Sequence, residues 1–189
     1  MPQPDHLIKL DLKDQPLDGR LQKYLDLCKD KLGLIPNVIK AVVKHPARGG
    51  HFISMYNELM LGDSQLSKLE REMISVVVSS ANRCYYCLVA HGQAVRQMSG
   101  DPQLGEMLVM NYRVVELSEK QRTMLDYAWK LTTSPADIGE GDRERLRDAG
   151  FDDPTIYDIT EIVAFFNYTN RMAHGTDMMP NPEYHAMNR

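Results

Sequence analysis

Cysteine is scarce in this chain. Only three occur among 189 residues, at positions 28, 84 and 87. An odd, low count excludes a disulfide framework of the kind that staples small secreted domains. A chain this long buries enough surface to do without one. Positive charge is in the minority, with 22 Lys and Arg against 26 Asp and Glu, and there is no basic stripe. Nucleic acid is therefore not an expected partner. No run of about 18 apolar residues occurs, so no membrane span is expected. The opening MPQPDHLIKLDLKDQPLDG lacks an apolar core of signal-peptide length. A reducing compartment follows as the expectation, and the cytoplasm is the natural one. Strand-like alternation is missing too, except for a possible short piece at HLIKLDLK, residues 6–13.

What is present is helical. Residues 1–17 carry Pro2, Pro4 and Pro16 and are expected to form an N-terminal arm. Leu21, Tyr24, Leu25, Cys28 and Leu32 then recur at helical spacing, which puts Cys28 on an apolar face and assigns it to the core. Gly33 ends that helix. Asn37 opens a short one, and Pro46 opens another that runs to Leu61. Two segments, LSKLEREMI and LSEKQRTML, each begin with a capping box, Ser67 with Glu70 and Ser118 with Gln121. Their likeness hints at a repeated helical hairpin. Asp153-Pro154 starts a last helix to Gly175 that is apolar over much of its circumference and is expected at the centre of the core. The sum is an all-α domain over residues 18–175, with about seven or eight helices and a C-terminal tail, 176–189, that is a loop or docking arm.

The segment CYYCLVAH, residues 84–91, carries the chemistry. Asn82 is a good N-cap, which would place Cys84 and Cys87 in the first turn of a helix. Backbone N–H groups there favour thiolates. Cys84, Cys87 and His91 share one face at i, i+3 and i+7. His91 lies roughly 6 Å along the axis from Cys87, at about 1.5 Å per residue. One helix earlier, Glu72 borders an apolar stripe of Leu69 and Val76. If the chain folds back at Asn82, Glu72 and His91 come level. A carboxylate that orients a histidine beside a thiol is the arrangement of an activated nucleophile.

Other readings stay open at this point. A zinc site needs four ligands. Cys84, Cys87 and His91 supply three, and the fourth would come from Cys28, His174 or a carboxylate. Haem attachment needs a histidine directly after the second cysteine, where Leu88 stands. Two inert buried thiols are a third possibility. His174 and Arg171 suit the end of the last helix as cations, and Arg171 could meet an anion. One of Tyr85 and Tyr86 is expected to pack while the other lines the thiol pocket.

Glu72, the CYYC of residues 84–87 and His91, spaced E-x11-C-x2-C-x3-H within SSANRCYYCLVAHG, resemble the AhpD-like alkylhydroperoxidase branch of the carboxymuconolactone decarboxylase family. Residues from about 18 to 175, including FFNYTNRMA, resemble its uncharacterized peroxidase-related subgroup. The resemblance implies an all-α fold built around a CxxC-bearing helical hairpin, assembled as a homo-oligomer, a trimer or hexamer. It implies a thiol-dependent peroxidase without metal, haem or other cofactor, with Glu72, Cys84, Cys87 and His91 as the catalytic set. In that scheme His91, held by Glu72, deprotonates Cys87, which attacks a hydroperoxide. Cys84 then resolves the product to a disulfide, which a lipoylated or thioredoxin-like dithiol protein reduces. Well-studied members carry a second histidine where this chain has Tyr86. A disulfide reductase or redox sensor without peroxidase activity is the alternative, and a zinc-stabilised binding module is a further one.

Overall fold

A computed structural model describes residues 2–189. Among them are nine α-helices, three short 3-10 turns and no strand. The helices are α1 (Gly19–Leu32), α2 (Asn37–Val42), α3 (Pro46–Leu61), α4 (Lys68–Ala81), α5 (Tyr85–Ser99), α6 (Pro102–Asn111), α7 (Glu119–Thr133), α8 (Glu140–Asp148) and α9 (Asp153–Thr176). The all-α expectation holds. No helix among the described residues is long and apolar enough to cross a membrane.

Both capping boxes form. The Glu70 N–H donates to Ser67 Oγ at 3.2 Å while the Ser67 N–H donates to the Glu70 carboxylate at 2.9 Å. Ser118 and Gln121 repeat the exchange at the start of α7. Each pair satisfies two of the amide groups that a helix start leaves without partners. The two helices so opened pack against each other.

The centre belongs to α4 rather than to α9. Every residue from Arg71 to Ser79 is buried. This helix packs against α5, α6, α7 and α9. The run MISVVVS can face neighbours on all sides because its serines find partners: Ser75 Oγ donates to the Arg71 carbonyl of its own helix, and Ser79 Oγ accepts from Asn170 Nδ2 of α9. The α9 helix forms one wall instead. It buries Ile156, Ile159, Val163 and Phe166 but leaves Tyr157, Tyr168 and Met172 exposed.

Arg71 shows how a charge is accommodated in such a core. Its guanidinium donates to the carbonyls of Leu66, Leu59 and Gly62, at 3.1, 3.2 and 2.8 Å. Leu59 belongs to the last turn of α3, whose carbonyls lack helical partners and carry the negative end of the helix dipole. The bonds therefore tie α3 to α4 without an acid.

The residues expected as a strand, 6–13, form none. They run beside the tail, with the Lys9 N–H donating to Thr176 O at 2.9 Å and the Met179 N–H donating to Leu7 O at 3.1 Å. Lys9 and His6 both reach the carboxylate of Asp177. The tail in turn docks through Asn181, which accepts from the Asn37 N–H at 2.6 Å and donates to Ile35 O at 3.0 Å.

The contact of α2 with α3 depends on a missing side chain. A Cβ on Gly49 would lie 2.6 Å from the Val42 carbonyl oxygen and 2.9 Å from its carbon. That neighbour is backbone and cannot step aside. Gly175, near the end of α9, has nothing within 4 Å of the same position. Gly49→Ala is therefore expected to destabilise by about 1–3 kcal/mol, as overpacking does. Gly175→Ala should stabilise by about 0.4–1 kcal/mol. Urea unfolding of the two variants checks the opposite signs.

Candidate active site

The turn between α4 and α5 departs from the expected capping by two residues. Asn82 closes α4 rather than opening α5. Arg83 takes a left-handed conformation with φ 53°, and Cys84 becomes the N-cap. The Cys84 N–H bonds to Ser79 O and the Arg83 N–H to Ser80 O, the paired pattern of a Schellman ending. Asn82 does not cap α5 because its backbone is still helical at φ −85° and ψ −5°, not in the extended region an N-cap takes. Its Nδ2 donates to Asn167 Oδ1 at 3.0 Å and Asn170 Oδ1 at 2.9 Å, both on α9. His174 also reaches this turn, with Nε2 3.0 Å from the Asn82 carbonyl oxygen.

With the hairpin closed, Glu72 and His91 do come level. His91 Nδ1–H donates to Glu72 Oε2 at 2.6 Å. The carboxylate is 5 % exposed. Phe166 packs edge-on against the imidazole, with ring centroids 4.7 Å apart. Nδ1 is fixed as the donor, so the lone pair sits on Nε2, the arrangement of a general base.

Both thiols are buried, Cys84 at 1 % exposure and Cys87 at 3 %. A hydrogen bond between them divides their acidities. Cys84 is lowered to about 7, chiefly because the Cys87 thiol donates to it. The Cys87 backbone N–H and the nearby His174 and His91 add to this against the cost of burial. Cys87 is pushed well above the usual thiol value, first by donating that bond and then by burial. Asn170 and Thr169 partly offset the rise. The pair thus gives up one proton readily and holds the second.

Cys87, His91 and Glu72 line a cavity of about 470 Å³, and Cys84 does not. Acidity points to Cys84 as the resting thiolate, and access points to Cys87 as the sulfur a ligand meets. A proton can cross the bond the two thiols share, whereas only Cys87 lines the cavity. Cys28 lines the same cavity rather than lying wholly in the core. Burial raises its pKa, so it remains a thiol. All three cysteines are free.

The other sequence expectations sort as follows. Tyr86 both packs and lines the cavity: its hydroxyl accepts from the Val38 N–H at 2.8 Å, and burial keeps it un-ionised. Tyr85 is exposed and touches Gln3 and His185. Arg171 donates to Asn167 of its own helix rather than to an anion. Among the described residues, no three His, Cys, Asp or Glu side chains converge as metal ligands. The set that the zinc alternative needs is not assembled. Sequence reading missed Tyr56, Phe166, Asn170 and Tyr184 as site residues. The buried polar pair Thr169 and Asn170 inside an apolar helix was the one available signal.

Residues 49–111 match the model of the carboxymuconolactone decarboxylase family, a stretch that holds Glu72, Cys84, Cys87 and His91. Among solved structures, an uncharacterized peroxidase-related protein from Silicibacter sp. TM1040 is 58 % identical over 100 % of both chains, with a TM-score of 0.95. An alkylhydroperoxidase AhpD core from Ralstonia eutropha JMP134, also an uncharacterized peroxidase-related protein, is 35 % identical over 98 % of each chain, with a TM-score of 0.93. The debrominase Bmp8 in complex with 2,3,4-tribromopyrrole shares the fold at 18 % identity and a TM-score of 0.77, over 98 % of this chain and 97 % of its own. No curated protein matches the sequence significantly.

A thiol whose pKa falls on folding adds stability that is present at alkaline pH and is lost as pH drops through the folded value. For Cys84 that loss begins as pH falls below the ordinary thiol value and is complete once pH drops below about 7. Ultraviolet thiolate absorbance of the reduced protein should accordingly rise with a midpoint near 7. In Cys87→Ala the largest cause of the lowering is gone, and the midpoint should move toward the free-thiol value of about 8.5.

Proposed function

The chain belongs to the carboxymuconolactone decarboxylase family, in its AhpD-like, peroxidase-related branch, and from that premise we propose that it is a thiol-dependent peroxidase that reduces organic hydroperoxides. The observation that carries this reading is the 2.6 Å Glu72–His91 bond on the wall of a cavity that Cys87 also lines.

The cycle balances with two thiols and no further group. His91 Nε2 takes one proton from the Cys84–Cys87 pair, and Glu72 stabilises the imidazolium. The remaining proton sits on Cys84 while the Cys87 thiolate attacks the terminal oxygen of the hydroperoxide. The O–O bond breaks, Cys87 becomes a sulfenic acid, and the departing alkoxide takes the proton from His91 to leave as an alcohol. The Cys84 thiol then displaces water from the sulfenic acid and forms the Cys84–Cys87 disulfide. An external dithiol protein, lipoylated or thioredoxin-like, restores the pair by exchange. Tyr86, which stands where well-studied relatives have a second histidine, stays un-ionised and bonded to Val38, so His91 is the proton acceptor in this scheme.

A cavity that leads to Cys87 suits a small oxidant, which favours a peroxidase over a general disulfide reductase, and the dithiol that restores the pair must enter by the same opening. A small hydroperoxide reaches Cys87 through the cavity. We also propose homo-oligomeric assembly, a trimer or hexamer. The exposed Tyr157, Tyr168 and Met172 on one side of α9 are large apolar groups of the kind subunit contacts cover.

Peroxide consumption with a dithiol reductant tests the scheme. Cys87→Ser should be inactive. Cys84→Ser should form the Cys87 sulfenic acid but no intramolecular disulfide, and its turnover should fall. His91→Ala should lose about 10²–10⁴-fold in kcat/KM, the usual contribution of a general base. Wild-type turnover in both cysteine variants would sink the scheme. For assembly, sedimentation velocity should give a species heavier than the 21.6 kDa chain. Tyr168→Lys should shift it toward the monomer.

A further inference from the structure

The cavity is far larger than hydrogen peroxide requires. A dry cavity of about 150 Å³ already accommodates benzene, and this one measures about 470 Å³. Phe52, Phe165 and Phe166 supply aromatic wall. The ring centroids of Phe52 and Phe165 lie 5.2 Å apart, and those of Phe165 and Phe166 lie 5.7 Å apart. Lys31, Glu72 and His91 are its only residues of the Lys, Arg, Asp, Glu and His types. Glu72 and His91 are bonded to each other, and Lys31 is exposed. No free cation therefore stands in the interior to receive an anionic group.

Two tyrosines in the wall are left over. Most tyrosine hydroxyls in the chain have partners: Tyr24 donates to Asn57, Tyr112 to Asp126, Tyr86 accepts from Val38, and Tyr127 pairs with Thr160. Among the described residues, the hydroxyls of Tyr56 and Tyr184 have none, although Tyr184 is only 8 % exposed. No buried side-chain polar atom sealed from open space lacks a partner. The two hydroxyls must therefore open onto space, and the space their side chains line is the cavity. Tyr184 is held there deliberately: Arg96, itself buried, donates to the carbonyls of Tyr184 at 3.0 Å and Met187 at 3.1 Å and so clamps the tail against α5. Burial raises both phenols, Tyr56 well above its ordinary value and Tyr184 to about 12. Both remain neutral donors at any physiological pH.

We propose that Tyr56 and Tyr184 are a pair of hydrogen-bond donors that hold an oxygen atom of a neutral, apolar organic ligand in the aromatic cavity beside Cys87. An unpartnered hydroxyl in an apolar wall favours a ligand that brings an acceptor, because a hydrocarbon leaves the donor unsatisfied. The inference rests on the peroxidase reading only for the identity of the ligand that reacts, which is then an organic hydroperoxide with an apolar body. Binding itself does not depend on turnover.

The test measures binding to the reduced full chain by calorimetry. The probes are cumyl alcohol and cumene, which share a body and differ by one hydroxyl. Wild type should bind the alcohol roughly tenfold more tightly than the hydrocarbon, the effect of about one to two net hydrogen bonds. Tyr56→Phe and Tyr184→Phe should each weaken the alcohol about three- to tenfold. Both should bind cumene as wild type does and melt at the wild-type temperature, since no protein bond is lost. Equal binding of the alcohol by wild type and both variants overturns the proposal, and so does equal binding of the two probes by wild type. Turnover of cumene hydroperoxide separates the two readings. If the alcohol follows the tyrosines while the hydroperoxide is not consumed, the donor pair stands and the peroxidase fails. If the hydroperoxide is consumed with the same KM in wild type and both variants, the donor pair fails and the peroxidase stands.

Discussion

The Glu72–His91 hydrogen bond is the constraint around which the site is arranged. A carboxylate at 5 % exposure on the most buried helix of the molecule is costly unless something satisfies it. His91 does so from the next helix. The bond fixes the register of α4 against α5, the imidazole tautomer and the wall position of Cys87 together. Losing one partner would strand the other in an apolar interior, which is more damaging than replacing both. Phe166 packs on the imidazole and brings α9 into the same arrangement.

The thiols depend on that frame in a less direct way. They share a hydrogen bond, and the loss of one proton serves both. Cys84 stands at the helix start beside His174, where negative charge is welcome. Cys87 stands one turn in, where the cavity is. The division of labour comes from position: one sulfur sits where charge is stabilised and the other where a ligand can arrive. The Schellman turn makes this possible. It places Arg83 in the left-handed position at a local cost of about 1–2 kcal/mol, and it frees Asn82 to bind α9.

Part of the cavity wall is built from the C-terminal tail. Met178, Tyr184 and Met187 of the tail line it, held by the buried Arg96 and by Asn181. The tail therefore belongs to the site rather than trailing from the domain, and the arm bonds along the tail, although residues 1–17 and 176–189 read as appendages from their prolines and polarity. Their docking bonds are mainly backbone carbonyls and amides, which every residue offers. Composition cannot announce such contacts.

What the sequence determined by itself was local or followed from hairpin arithmetic. The capping boxes at Ser67 and Ser118 form because their partners lie within one turn. Glu72 and His91 meet because helical rise carries both equally far from one tight turn. Only the tertiary structure decided the rest. It made Cys84 the cap, since the Schellman turn keeps Asn82 helical and returns the chain to extended backbone only at Cys84. It put α4 rather than α9 at the centre, and it gathered Tyr56 and Tyr184 from distant segments onto one cavity. Short-range geometry follows from the covalent chain and its helical period. Contacts between remote elements follow from how buried surfaces divide among competing neighbours, and no single segment records that outcome.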